Sequence, residues 1–198
     1  GKLTPEQQEV AEILRANSIE LQRLIEDLLS YGAADFHRSA LRFSPVAVRR
    51  VVARVLDDQN LSLRARALRI APQVNDITLE ADFEKLRIML DNLISNAAKF
   101  SPEGKVITIE VRAEGEHMVL EVTDAGPGIP PAERERVFDP FYRGRSVAGG
   151  PLRGSGIGLS IVRDYAQAHG GTVEVVDDAT QSGARLRVTL PLQQGVQS

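Results

Sequence analysis

The sequence predicts an α+β fold. The expected form is a two-layer α/β sandwich, with a mixed, mostly antiparallel sheet, helices on one face, and a long N-terminal helix. Three observations lead there. Residues 4–31 and 82–100 carry apolar residues at helical spacing. The stretches "VITIEVRAEG" and "HMVLEVTD" then alternate with a period of two. A short amphipathic segment and two more alternating stretches close the chain, so helical and alternating patterns combine as in layered α+β domains.

Thr4, Pro5 and Gln7 predict a helix start, with a hydroxyl cap, a proline in the first turn and an amide at the capping-box position. Val10, Leu14, Asn17, Leu21, Leu24, Leu28 and Tyr31 follow at spacings of four and three. That is a helix-bundle seam with one polar position, Asn17. A core helix of one globule is the alternative. The helix should run about 28 residues, or about 40 Å, before Gly32 stops it. Residues 33–43 read as a linker. Ser44 and Pro45 predict a second helix start, and Val46, Val48, Val51, Val52 and Val55 give it a mainly buried stripe. A helix over 82–100 comes next, then two adjacent antiparallel strands over 106–115 and 117–124.

Residues 125–158 are thick with Gly, Pro and Arg. A connection that long inside a compact domain is functional or mobile. "LSIVRDYAQAHGG" predicts a short helix stopped by Gly170 and Gly171, and "TVEVVDD" and "ARLRVTLPL" predict two closing strands. The expected division is 1–32, a helix of a larger bundle; 33–43, a linker; 44–193, a globular domain; and 194–198, a tail.

The bulk properties narrow the function. The chain has 198 residues, of which 42% are hydrophobic and 26% charged, with a net charge of −3. Nothing in that balance favours nucleic acid or a membrane surface. Cysteine is absent, which removes disulfide and thiolate chemistry and fits a reducing compartment. No apolar run approaches the roughly 20 residues of a membrane helix. The chain begins almost directly in a helix start, so we expect a piece of a longer protein.

Three stretches carry chemistry. In "LDNLISNAAKF", Asn92, Asn96 and Lys99 share one helix face. Leu86, Leu90, Leu93 and Ala97 fall about 100–160° away, so one face can pack on a sheet while the polar row looks into a cleft. Asn oxygens are hard neutral ligands suited to Mg²⁺, which keeps waters and uses substrate phosphates for its remaining sites. Lys99 adds a point charge for the same phosphates. A solvated polar stripe is the alternative. In "DAGPGIP", Asp124 ends a strand at a glycine turn and could accept an adenine amine, with Gly126 and Gly128 permitting close approach. A plain tight turn is the alternative. In "GSGIGLSIV", Gly154, Gly156 and Gly158 lead into a helix whose first N–H groups suit phosphate; a flexible hinge is the alternative. It fits neither the dinucleotide fingerprint nor Walker A. Between the second and third lies "VFDPFYRGR". Phe138 and Phe141 are expected to anchor a short helix in the core and leave Arg143 facing the cleft, with Arg145 an ordinary surface arginine.

Four ordered pieces now stand together, and the chain resembles the catalytic ATP-binding domain of bacterial sensor histidine kinases. That family belongs with gyrase and Hsp90 in one ATPase superfamily. "DNLISNAAKFS" resembles its N box, "DAGPGIP" its first glycine box, "FDPF" its F box and "GSGIGLSIV" its second glycine box, over about residues 41–192. The leading helix, ending "LIEDLLSYG", resembles the second helix of the dimerisation and phosphotransfer domain. The resemblance implies ATP and Mg²⁺ as cofactors. Asn96, with Asn92 beside it, would hold the metal. Lys99 would meet phosphate oxygens, and Phe100 would pack near the base. Asp124, Gly126, Gly128 and Ile129 would form the adenine pocket. Gly154, Gly156, Gly158 and Leu159 would shape the lid hinge, and Arg143 would reach the γ-phosphate. Residues 145–153 would be an ATP lid that varies without nucleotide. It also implies a response regulator receiver domain as partner, a homodimer through the N-terminal helix in the full-length protein, and the cytoplasmic part of a membrane-anchored sensor.

Two departures stand out. His37, His117 and His169 all lack the family's phosphoacceptor context, His-Glu/Asp-x-x-x-Pro on a helix, so this chain should bind ATP without phosphorylating itself. Ala125 stands where the family more often carries Asn. Two rival functions remain: a nucleotide-sensing module without chemistry, and an ATP-driven clamp or anti-sigma-factor serine kinase. The clamps generally place a glutamate one turn before the key Asn; here that position is Asn92.

Overall fold

The computed structural model describes residues 41–144, 155–177 and 183–193, with positions 4, 7, 8, 10, 11, 14, 15 and 18 of the N-terminal stretch. The elements are β1 (Ser44–Ala47), α1 (Val48–Ala65), β2 (Arg69–Val74), β3 (Thr78–Ala81), α2 (Phe83–Phe100), β4 (Val106–Glu114), β5 (His117–Thr123), two 3₁₀ turns (Pro131–Glu133 and Arg136–Phe138), α3 (Gly158–Ala168), β6 (Thr172–Val176) and β7 (Arg185–Pro191). The main sheet has the order β2-β4-β5-β7-β6, with β2 parallel to β4 and every other pair antiparallel. β1 and β3 form a separate antiparallel ribbon. The fold is therefore the expected α+β sandwich with a mixed, mostly antiparallel sheet.

The strand alternation explains the layering. Ile107, Ile109 and Val111 of β4, Met118, Leu120 and Val122 of β5, and Leu186, Val188 and Leu190 of β7 join one core with the buried faces of α1, α2 and α3. α2 is the central helix, touching both α1 and α3. It starts because the Asp82 carboxylate accepts from the N–H groups of Glu84 and Lys85 at 3.0 and 3.2 Å. Its Leu86, Leu90, Leu93 and Ala97 are buried. Truncating one such leucine costs about 2–5 kcal/mol, so this apolar face sets the helix rotation, and the polar row must look away from the sheet.

The other face of the sheet is charged. Glu121 of β5 is fully buried there beneath Arg112, Arg185 and Arg187, each of which donates to it. Burial alone would raise the Glu121 carboxyl, but those arginines hold it at about 2. His169 is buried where α3 ends. Its Nε2 accepts from the Asp82 N–H at 3.1 Å, and its Nδ1 lies 2.7 Å from the Tyr165 carbonyl oxygen. That pairing fits a neutral ring with the proton on Nδ1. Burial pushes its pKa down.

Three expectations need correction. Ser44–Pro45 does not start a helix; it lies in β1, and α1 begins at Val48. The proline has no N–H, and the two-stranded ribbon tolerates it, while the Val48 N–H is satisfied by the Ile77 carbonyl at 2.9 Å. Residues 69–81 hold two strands that no alternation announces. β2 is a sheet edge, which is why it can contain Pro72. Finally, Phe138 is buried, but Phe141 is 58% exposed and sits at φ +63°. Pro140 interrupts the turn, and the Phe141 N–H goes to the Gly156 carbonyl at 3.0 Å, turning this ring out of the core.

At the N-terminus Thr4 and Gln7 form the expected reciprocal capping box, and Gln7, Gln8, Val10, Ala11, Leu14, Arg15 and Ser18 are helical. Val10 and Leu14 are exposed. The rest of the seam, from Asn17 to Tyr31, lies outside the described residues, as do the linker positions 33–40. No helix among the described residues is long and apolar enough to cross a membrane.

Candidate nucleotide site

A cleft of about 400 Å³ opens between α2, the turn after β5, residues 127–144 and the start of α3. Asn92, Asn96, Lys99, Phe100, Asp124, Gly128, Ile129, Arg143, Gly156, Gly158 and Leu159 all line it. Residues named from four separated stretches of sequence thus meet at one place. Gly126 sits behind the wall and supports the turn. Gly154, Arg145 and the rest of the expected lid, 145–153, lie outside the described residues.

At one end stands Asp124, only 8% exposed. Its Oδ1 accepts from the Gly126 N–H at 2.8 Å and from the Ala184 N–H at 3.0 Å, and its own N–H donates to the Ala184 carbonyl at 2.9 Å. The bonds to one oxygen orient the group and leave Oδ2 as the acceptor for a ligand donor. Burial pushes the Asp124 carboxyl up, and the two backbone donors pull it down. A Cβ at Gly126 would lie 2.9 Å from the Phe100 carbonyl oxygen, so glycine lets this turn abut the end of α2.

At the other end lies the polar row of α2. Asn92 donates Nδ2 to the Ile88 carbonyl at 2.9 Å, which turns its Oδ1 toward Gly158: a Cβ there would lie 2.6 Å from that oxygen and 3.8 Å from Asn96 Nδ2. Both amides therefore face the first turn of α3. Ile157, at the N-cap of that turn, makes no side-chain cap bond, and its own N–H donates to Ser155 Oγ at 3.3 Å; a helix start of this kind has N–H groups without intrahelical partners. The Lys99 ammonium lies 5.2 Å from the Phe100 ring centre. No cluster of three or more His, Cys, Asp or Glu suited to a metal occurs among the described residues. The Asn92 amide oxygen, with the Asn96 amide beside it, suits a Mg²⁺ that takes most of its ligands from water and phosphate, and the start of the helix suits the phosphate.

Several lining residues carry no motif in the sequence. Gln59 and Ser62 of α1 and its C-cap Arg66 form part of the wall, and Gln59 donates to Asp91 at 2.8 Å. Glu133 is buried in the wall. Gly183 is the backbone neighbour of Asp124: it has φ +117°, and a Cβ would lie 2.0 Å from the Asp124 carbonyl oxygen. The Ser-Gly before the last strand was its one sequence signal.

Residues 81–194 match the family described as histidine kinase-, DNA gyrase B-, and HSP90-like ATPase. The chain belongs to that family. The sensor histidine kinase GlrK of Escherichia coli K12 is 35% identical over 191 residues, 96% of this chain and 40% of that protein. The sensor histidine kinase WalK of Bacillus subtilis is 35% identical over 173 residues, 85% of this chain and 28% of its own. Among solved structures, full-length ShkA in complex with AMPPNP superposes with a TM-score of 0.77 at 27% identity, covering 98% of this chain and 41% of that one. The chain thus spans less than half the length of these relatives. Membership of this ATPase family matches the cleft: an acceptor at its closed end, amides and a lysine at its other end.

Proposed function

We propose that residues 44–193 are the ATP-binding catalytic domain of a two-component sensor histidine kinase. In this reading residues 1–32 belong to the dimerisation and phosphotransfer domain, 33–43 form the linker, and 194–198 form a tail. One observation carries it: Asp124, with Oδ1 fixed by two backbone donors, shares a cleft with Asn92, Asn96 and Lys99. Such a cleft fits a purine at one end and a metal-bridged polyphosphate at the other. The relatives named above are sensor histidine kinases, which supports the choice within the superfamily.

The residues then have separable tasks. Asp124 Oδ2 accepts from the adenine amino group, and Gly126, Gly128 and Ile129 shape the pocket around the base, with Phe100 beside it. Asn96 and Asn92 would hold Mg²⁺, which would supply positive charge for the phosphate oxygens. Lys99 and Arg143 add positive charge there, and Gly156 before α3, with Gly158 and Leu159 in its first turn, presents N–H groups. Phosphoryl transfer needs positioning and charge stabilisation above all. The acceptor would be a histidine imidazole on the dimerisation domain, and a response regulator receiver domain would take the phosphoryl group from it. His169 is not that acceptor: it is buried in the fold. The exposed Val10 and Leu14 support a homodimer through the N-terminal helix in the full-length protein.

The test is calorimetric titration with ATP, with and without Mg²⁺, for wild type and Asn96→Ala. Affinity should rise with Mg²⁺ in the wild type, and the variant should lose that gain, weakening by about 100-fold, or roughly 3 kcal/mol. An unchanged variant would move the metal elsewhere. Incubation with γ-labelled ATP should leave this chain unlabelled and label a separate dimerisation domain bearing the histidine.

A further inference from the structure

Arg66 caps the C-terminal end of α1 and belongs to none of the motifs. Its Nη1 donates to the Ala98 carbonyl, and to the Lys99 carbonyl at 3.0 Å; its Nη2 donates to the Ser101 carbonyl at 2.8 Å. Those carbonyls belong to the end of α2, where a helix leaves acceptors without partners. A guanidinium there meets them in a rigid fork and complements the negative end of the helix dipole. The Arg66 carbonyl also accepts from the Gly104 N–H at 3.2 Å, tying down the chain that leaves α2.

The same helix end is the junction between the two ends of the cleft. Lys99 and Phe100 project from it into the cavity. Ser101, fully buried, accepts from the Ala125 N–H through Oγ at 3.2 Å. The Phe100 carbonyl faces Gly126 so closely that no Cβ would fit. One guanidinium on a neighbouring helix therefore holds the point where the polyphosphate helix meets the purine turn. Arg66 also lines the cleft.

We propose that Arg66 is a positioning residue for nucleotide binding. It sets Lys99, Phe100 and, through Ser101, the Asp124 turn relative to one another. This inference rests on the ATP-binding reading of the site. It differs from two simpler roles. A plain phosphate-binding charge would matter to ATP but not to a ligand without phosphates. A plain strut for the fold would matter to stability but not to affinity once the chain is folded.

The experiment titrates the whole chain with Mg·ATP by calorimetry and with adenosine by NMR shifts, for wild type, Arg66→Ala and Arg66→Lys. Circular dichroism checks that each variant is folded at the working temperature. Arg66→Ala should weaken both ligands about tenfold and shift the Ala125 amide resonance, because both grips share the helix end. Arg66→Lys, which keeps the charge but loses the fork, should recover part of both losses. If Arg66→Ala does not fold, Arg66→Lys alone must show a loss for both ligands. Affinities within twofold of wild type for both ligands would overturn the proposal, and so would a loss confined to Mg·ATP. Failure of the ATP-binding reading looks different: wild type would not bind Mg·ATP, or Asp124→Asn and Asn96→Ala would bind it as wild type does.

Discussion

At the purine end of the cleft, Asp124 is locked by backbone: two N–H groups on Oδ1, a carbonyl on its own N–H, and Gly183 pressed against its carbonyl. At the phosphate end, Asn92, Asn96 and Lys99 are side chains along a helix, facing a glycine turn that carries no cap. The first end is a rigid socket continuous with the sheet. The second is a set of rotatable groups whose arrangement a metal and phosphates can complete. Shape selectivity for the base fits the first construction. The second fits a ligand that changes as a phosphoryl group leaves.

Substituting a glycine at each end separates the two. Gly183→Ala puts a Cβ where the Asp124 carbonyl already sits, at a φ that side chains rarely adopt. Backbone cannot yield cheaply on either side, so the expected loss is roughly 3 kcal/mol or more of folding stability, read by urea denaturation. A variant as stable as wild type would mean the purine socket is softer than its contacts imply.

Gly158→Ala makes the opposite trade. The obstructing atom is Asn92 Oδ1, the end of a side chain that can rotate away. Alanine is also a better helix residue than glycine, by about 1 kcal/mol. Stability should therefore hold or rise slightly, while Mg·ATP affinity falls about tenfold and adenosine affinity stays unchanged. Calorimetry and NMR titration read both, and equal losses for the two ligands would erase the distinction between the ends.

The legibility of the site follows from the same division. The α2 row could be read in advance because its information is local: the apolar face and the polar row both lie within one helix. The hairpin of β4 and β5 was equally local: β4 alternates, and the short apolar run of β5 follows it across a tight turn. Gly183 and Arg66 were hidden because their partners lie 59 and 32–35 residues away in sequence, at Asp124 and at the end of α2. β2 was hidden for another reason: as an edge strand with Pro72 it shows no two-residue rhythm. Ser44–Pro45 misled because a hydroxyl followed by proline suits a helix start and an unpaired ribbon edge alike. Phe141 misled because nothing in "FDPFYR" reveals that Pro140 turns the second ring outward.

The smallest expected effect tests whether the junction held by Arg66 depends on a strained turn beside it. Ala67 follows Arg66 at φ +50°, with its N–H on the Arg64 carbonyl at 2.9 Å. A left-handed conformation costs a non-glycine residue about 1–2 kcal/mol. Glycine relieves that, but an unfolded chain with glycine has more freedom to lose, which returns roughly 0.4–1 kcal/mol. The net for Ala67→Gly is a gain of about 0.5–1 kcal/mol, visible as a higher midpoint in urea. Affinity for Mg·ATP should not move, because the carbonyl acceptors of Arg66 lie in the last turn of α2 and at its C-cap Ser101, and the guanidinium reaches them from the C-cap of α1. If affinity falls while stability rises, the alanine is holding Arg66 in place at a cost to the fold, and the junction between the socket and the polar row extends one residue further than its hydrogen bonds.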